Sequence, residues 1–232
     1  MFMPFYIDSY YIILVLPALL LALWAQMRVS GTYNKFSRVR TSRGFTGQEV
    51  ARMILDQNGL HNVRVERIPG NLSDSYDPKA NVVRLSEGVY GSATIAAAGI
   101  AAHECGHAVQ HAAGYAPLKL RSAVIPATNI GSTLAIPLLL IGFLLNSYPL
   151  VLIGLIGYGM MALFQLITLP VEYNASSRAM AVISQNHILD EEEQKGARKV
   201  LSAAALTYVA ALIASLAQLL RLFLLFGGRR RK

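Results

Sequence analysis

Charge is scarce in this chain. Only 15% of its 232 residues are Asp, Glu, Lys or Arg, against about 25% in an ordinary soluble domain. With 54% hydrophobic residues and a mean hydropathy of +0.42, a disordered polar chain is excluded and a cytosolic globule is disfavoured. Cysteine is nearly absent. Cys105 alone excludes an internal disulfide framework and a four-cysteine zinc ribbon, and it reads as a small buried hydrophobe. No internal repeat occurs, and low complexity is confined to the final basic run, residues 229–232. Acidic residues number 13 against 21 Lys and Arg, for a net charge of +8 and a pI near 9.7. In a polar chain that balance would suggest nucleic acid. Here the apolar excess points to a lipid bilayer, and no nucleic-acid partner is expected.

Long apolar runs supply what the charges do not. A helix needs about 20 mostly apolar residues to cross the hydrocarbon core. Four segments qualify, roughly 10–24, 125–145, 151–169 and 203–226. Tyr10, Tyr11 and Trp24 suit interfacial positions in the first, and Pro17 is tolerated there. That segment has no basic leader and no small-residue cleavage site, so it reads as an anchor rather than a signal peptide. Pro149 and Pro170 bracket the third segment. Arg221 interrupts the fourth, placed to snorkel to an interface or to line a contact.

Loop charges give an orientation. Residues 1–9 hold Asp8 and no Lys or Arg, residues 28–122 hold twelve Lys and Arg, and residues 171–202 hold four. The positive-inside rule places both large loops in the cytoplasm and the N-terminus outside. The basic tail, residues 229–232, conflicts if the fourth helix crosses fully, so either it is outvoted or the last segment is re-entrant. The expected fold is a mainly α membrane protein with four transmembrane helices and a small α+β water-facing part. Its expected parts are an anchor over 1–27, a soluble domain over 28–122 and a transmembrane hairpin over 123–170. A helical segment over 171–202 and a last transmembrane helix with the basic tail over 203–232 complete it.

In the water-facing parts, Thr46-Gly47-Gln48-Glu49 reads as a capping box opening a helix that runs to about Asn58, with Gly59 at its end. Alternation predicts strands near Val63–Ile68 and Asn81–Leu85. The intervening 71–78, NLSDSYDP, is turn-rich. An Ala-rich helix is expected over about Ser92–Gly114, and another from Asp190, with Glu193 placed for a second capping arrangement. His61 and His187 read as loop residues.

Within the Ala-rich helix stands His103-Glu104-Cys105-Gly106-His107, the HExxH pattern of zinc proteases. Residues i and i+4 share a helix face about 5–6 Å apart, so both imidazoles can converge on one ion. Glu104 points beside that ion and can take a proton from water. These polar side chains interrupt the apolar runs SATIAAAGIAA and AVQHAAGYA, and burying them without partners would cost several kcal/mol. A metal supplies the partner. A catalytic zinc takes a third protein ligand and keeps an open position. His111 lies about 12 Å further along the axis than His103 and cannot join the same ion from one straight helix, so it reads as a supporting or core histidine. Glu172, in VEYNASSRA three residues past Leu169, is the better candidate. Two crossings separate it from His107, which puts both on one membrane face. The competing reading is a glutamate that caps a new helix at the interface.

The combination of SATIAAAGIAAHECGHAVQH with VEYNASSRA after a hydrophobic hairpin resembles the YugP-type family of bacterial membrane zinc metallopeptidases. NLSDSYDP and VVRLSEGVY resemble segments of it as well. The match spans roughly residues 28–200. The resemblance implies a zincin-like, gluzincin-type site with one Zn2+ per chain, His103, His107 and Glu172 as ligands and Glu104 as general base. Ser75 and Asn174 stand where family members often carry histidine and aspartate, so neither receives a role. The expected activity is endoproteolysis of a protein or peptide substrate, membrane-embedded or membrane-proximal, on the cytoplasmic face of the cell membrane. A membrane-protein partner or a homo-oligomer is compatible with the sequence. Tyr173, Arg178 and Tyr115 are chemically suited to stabilise an oxyanion, and a substrate strand could pair with an edge strand near Asn81–Leu85. Two rivals remain. One is a site-2-type intramembrane protease with HExxH inside a spanning helix, although no Asp occurs in the second or third apolar segment. The other is a non-proteolytic scaffold with a structural metal.

Overall fold

The computed structural model describes residues 7–226; the basic tail lies outside the described residues. A π-helical turn, Tyr11–Val15, leads into α1 (Leu16–Phe36). Then follow α2 (Gly47–Gln57), β1 (Arg64–Ile68), β2 (Ser75–Asp77), β3 (Val82–Ser86), α3 (Glu87–Tyr90), α4 (Ile95–Ala112), α5 (Ala116–Leu144), α6 (Tyr148–Gln185) and α7 (Glu191–Phe226). Four helices are long and apolar enough to cross a membrane: Tyr11–Phe36, Ala116–Leu144, Tyr148–Gln185 and Glu191–Phe226. The fold is mainly α, with one small three-stranded sheet.

The chain divides into two compact units. One comprises, in its described part, residues 7–26, 120–169 and 207–226. Its helices approach closely where glycines meet. A Cβ on Gly157 would lie 2.7 Å from the Gly131 carbonyl oxygen, and one on Gly131 would lie 3.2 Å from that of Gly157. Small residues of this kind let helix backbones pack without a hydrophobic driving force in lipid. Arg221 lines a contact. It is 2% exposed, its guanidinium donates to Asp8 Oδ2 at 2.6 and 2.9 Å, and it sits 5.2 Å from the Tyr11 ring. An apolar setting tolerates such a charge because its partner is present.

The other unit comprises residues 27–119 and 170–206. Both expected helix starts are formed by side chains. Glu49 N–H donates to Thr46 Oγ1 at 3.3 Å while Thr46 N–H donates to Glu49 Oε2 at 2.8 Å. Asp190 and Glu193 make the same exchange at 2.8 and 2.9 Å, and Glu193 also accepts from Ser42 N–H at 2.6 Å. The sheet order is β1-β3-β2, with β1 parallel and β2 antiparallel to β3. The strand expected near Asn81–Leu85 is therefore central. It cannot receive a substrate strand, because both of its edges are already paired. The turn-rich 71–78 contains the missed edge strand β2, anchored where Asp74 accepts from Ser86 N–H at 2.7 Å.

Helix α4 is the buried centre of this unit. Thr94 Oγ1 accepts from Ala97 N–H at 3.3 Å to open it. Gly114, at φ +62, closes it, with Tyr115 N–H donating back to the Gln110 carbonyl at 2.9 Å. Its alanines and Cys105 pack with Val50, Ile54 and Leu55 of α2, Val83 and Leu85 of β3, and Ile183 of α6. Among the described residues, α4 is not one of the four long apolar helices.

Candidate metal centre

His103 and His107 lie one turn apart on α4, with ring centroids 4.8 Å apart and planes at 85°. Helix α6 brings Glu172 to them. Its Oε2 lies 3.3 Å from His103 Nε2 and 3.5 Å from His107 Nε2. The approach depends on Gly106, because a Cβ there would stand 2.7 Å from the main-chain carbonyl oxygen of Ala175. The glycine inside the motif is thus what allows a second helix to bring a carboxylate against it.

The donor set fits zinc. Bonds of about 2.0–2.1 Å to tetrahedral zinc place neighbouring donor atoms ~3.3–3.4 Å apart, close to the two separations seen. Among the described residues these three side chains form one cluster able to hold a metal ion. Two nitrogens and one carboxylate oxygen make the donor chemistry of a catalytic rather than a four-ligand structural site.

Each histidine is held from behind. His103 Nδ1 lies 3.1 Å from Ser176 Oγ, and His107 Nδ1 lies 3.0 Å from Gln110 Oε1. Gln110 is fully buried. It went unremarked in the sequence, although a polar residue three positions past His107 in an apolar run is a detectable signal.

Glu104 is buried beside the cluster. Burial pushes its carboxyl above the usual carboxylate range; Asp74 and Glu172 add to this, while His103 and His107 oppose it. Burial pulls the His107 pKa down, but its hydrogen bond to Glu172 and the charges of Glu104 and Glu172 outweigh this and hold it above its ordinary value. Cys105 faces away from the cluster. Its Sγ is 3.5 Å from the Ala51 carbonyl oxygen, and burial raises its pKa strongly, leaving an inert thiol.

His111 is neither core nor part of the cluster. It is exposed, with Nδ1 3.1 Å from the Tyr76 hydroxyl on β2. Arg178, one of the three side chains considered for the oxyanion, donates through Nε to Asn174 Oδ1 at 2.8 Å. Tyr173 is 52% exposed.

The family described as "Putative neutral zinc metallopeptidase" matches residues 11–227. The chain belongs to this family. It is 49% identical over 220 residues to "Putative membrane protease YugP" of Bacillus subtilis (strain 168), a match covering 95% of this chain and 98% of that protein. Taken together, the two descriptions indicate a membrane-associated zinc metallopeptidase. No solved structure matches the chain at a significant level.

Proposed function

We propose that this membrane protein is a zinc endopeptidase that cleaves membrane-embedded or membrane-proximal protein substrates. In this reading His103, His107 and Glu172 hold one Zn2+ and Glu104 is the general base. The observation that carries it is the convergence of His103 Nε2, His107 Nε2 and Glu172 Oε2 from two helices, with the buried Glu104 beside them. Zinc held there supplies a Lewis acid that polarises a peptide carbonyl and brings the pKa of water at its open position to about 7.

The chain's own groups do the rest. Glu104 takes the proton of the attacking water and returns it to the leaving amine. Its raised proton affinity suits it to both halves of that exchange. Glu172 contributes negative charge, and Ser176 and Gln110 hold the rings in place. An extended substrate adds to the edge of β2, which packs on α4 through Tyr76 and His111. The excess of Lys and Arg in the two large loops supports a cytoplasmic site.

Replacing Glu104 with Gln keeps the size of the side chain and removes the base. Casein hydrolysis by the full chain in detergent is expected to fall about 10²–10⁴-fold, with zinc content unchanged. Unchanged hydrolysis would remove Glu104 from the mechanism.

A further inference from the structure

Gln110 follows His107 by three residues on α4, so the two share a face, and its side chain is fully buried. A glutamine amide has one accepting end and one donating end. Here Nε2 lies 2.8 Å from the Val171 main-chain carbonyl oxygen and 2.9 Å from Asn174 Oδ1. A main-chain carbonyl can only accept. Turning the amide round would press two buried acceptors together and leave a donor stranded, at a cost of about 1–3 kcal/mol for each unsatisfied group. The amide orientation is therefore fixed by a backbone atom one residue before Glu172.

That orientation fixes the state of His107. The end of the amide facing Nδ1 is the accepting Oε1, at 3.0 Å, so Nδ1 must carry a proton. In a neutral imidazole the lone pair then sits on Nε2, the atom 3.5 Å from Glu172 Oε2. Asn174 is oriented by the same logic. Arg178 Nε can only donate, and it lies 2.8 Å from Asn174 Oδ1, so that oxygen also faces Gln110. One guanidinium and one main-chain carbonyl thus set two amides and one ring. His103 has no such lock, since the Ser176 hydroxyl at 3.1 Å can donate or accept.

We propose that Gln110, held by Val171, Asn174 and Arg178, is the positioning residue that selects the Nδ1–H tautomer of His107 and so presents its Nε2 lone pair to the metal. Asn174, which carries no role in the sequence analysis, belongs to this chain of bonds. The proposal rests on the reading of His107 as a zinc ligand.

The test uses the full chain in detergent, stripped of metal and titrated with zinc against a competing chelator. Gln110→Leu is expected to weaken zinc 10–100-fold. Gln110→Glu restores most of that affinity, since a buried neutral carboxylic acid can still donate to Val171 and accept from His107. Asn174→Ala weakens zinc in the same direction by less, and stands in for Gln110→Leu if that variant does not fold. A second readout needs no metal. In ¹⁵N-histidine spectra of the Glu172→Ala chain at about pH 9, where no carboxylate draws the Nε2 proton, His107, assigned by difference from an added His107→Ala change, is expected to carry its proton on Nδ1 and to lose that preference when Gln110→Leu is added. A proton on Nε2 in the Glu172→Ala chain, or zinc affinity in Gln110→Leu within twofold of wild type, overturns the positioning role alone. A wild-type chain that takes up no zinc overturns the metal reading, and this proposal with it.

Discussion

At the residue scale, the site is a set of polar side chains each given a partner inside an apolar helix. Glu172 lies against both imidazoles and helps hold the pKa of His107 above its ordinary value against the pull of burial. A metal ion must displace the His107 proton. The sign follows: protons compete with zinc increasingly as pH falls through the raised pKa of His107, so zinc affinity declines on that side and binding releases protons. Calorimetric titration with zinc in buffers of different ionisation enthalpy is expected to show both effects. An affinity constant from pH 8 down to pH 6, with no proton release, would contradict this account of the pair. The three motif residues were readable from sequence because HExxH is local to one turn. Gln110 was not, because its partners Val171 and Asn174 lie 61 and 64 residues away and only the fold joins them.

At the scale of elements, the centre depends on how closely α6 passes α4. Gly106 sets that distance, and its hypothetical Cβ meets main-chain atoms rather than a movable side chain. Gly106→Ala is therefore expected to destabilise the chain by about 1–3 kcal/mol and to weaken zinc binding, read together as a lower thermal midpoint and a lower zinc content. Wild-type values for both would show that the crossing has slack. Capping signals predicted the starts of α2 and α7 because a cap is made by residues three apart. Two other elements escaped. Pro170 was expected to bracket an apolar segment, yet it lies inside the single 38-residue helix α6. A proline removes only one backbone donor, and helices of membrane proteins tolerate that loss when neighbours re-satisfy the freed groups. Strand β2 has three residues in a turn-rich stretch, and its pairing with β3 and the Asp74–Ser86 bonds are tertiary, with no periodicity to announce them.

At the scale of the whole molecule, composition disclosed the class. Scarce charge and four apolar runs foretold four long helices, and their structural limits extend well beyond the apolar cores. Orientation is a separate proposal, carried by loop charges alone. The single native cysteine is buried and inert, so an introduced cysteine reports cleanly. Ser147→Cys, between α5 and α6, is expected to react with a membrane-impermeant maleimide on intact cells, and Lys79→Cys only after permeabilisation. The reverse pattern would move the site to the outer face.

In the proposed site Glu172 completes the zinc ligands with the two histidines of α4. Metal analysis of the purified full chain beside Glu172→Ala tests it most directly. About one zinc per wild-type chain and a large loss in the variant at equal folding are expected. Equal zinc in both proteins, or none in the wild type, would contradict it.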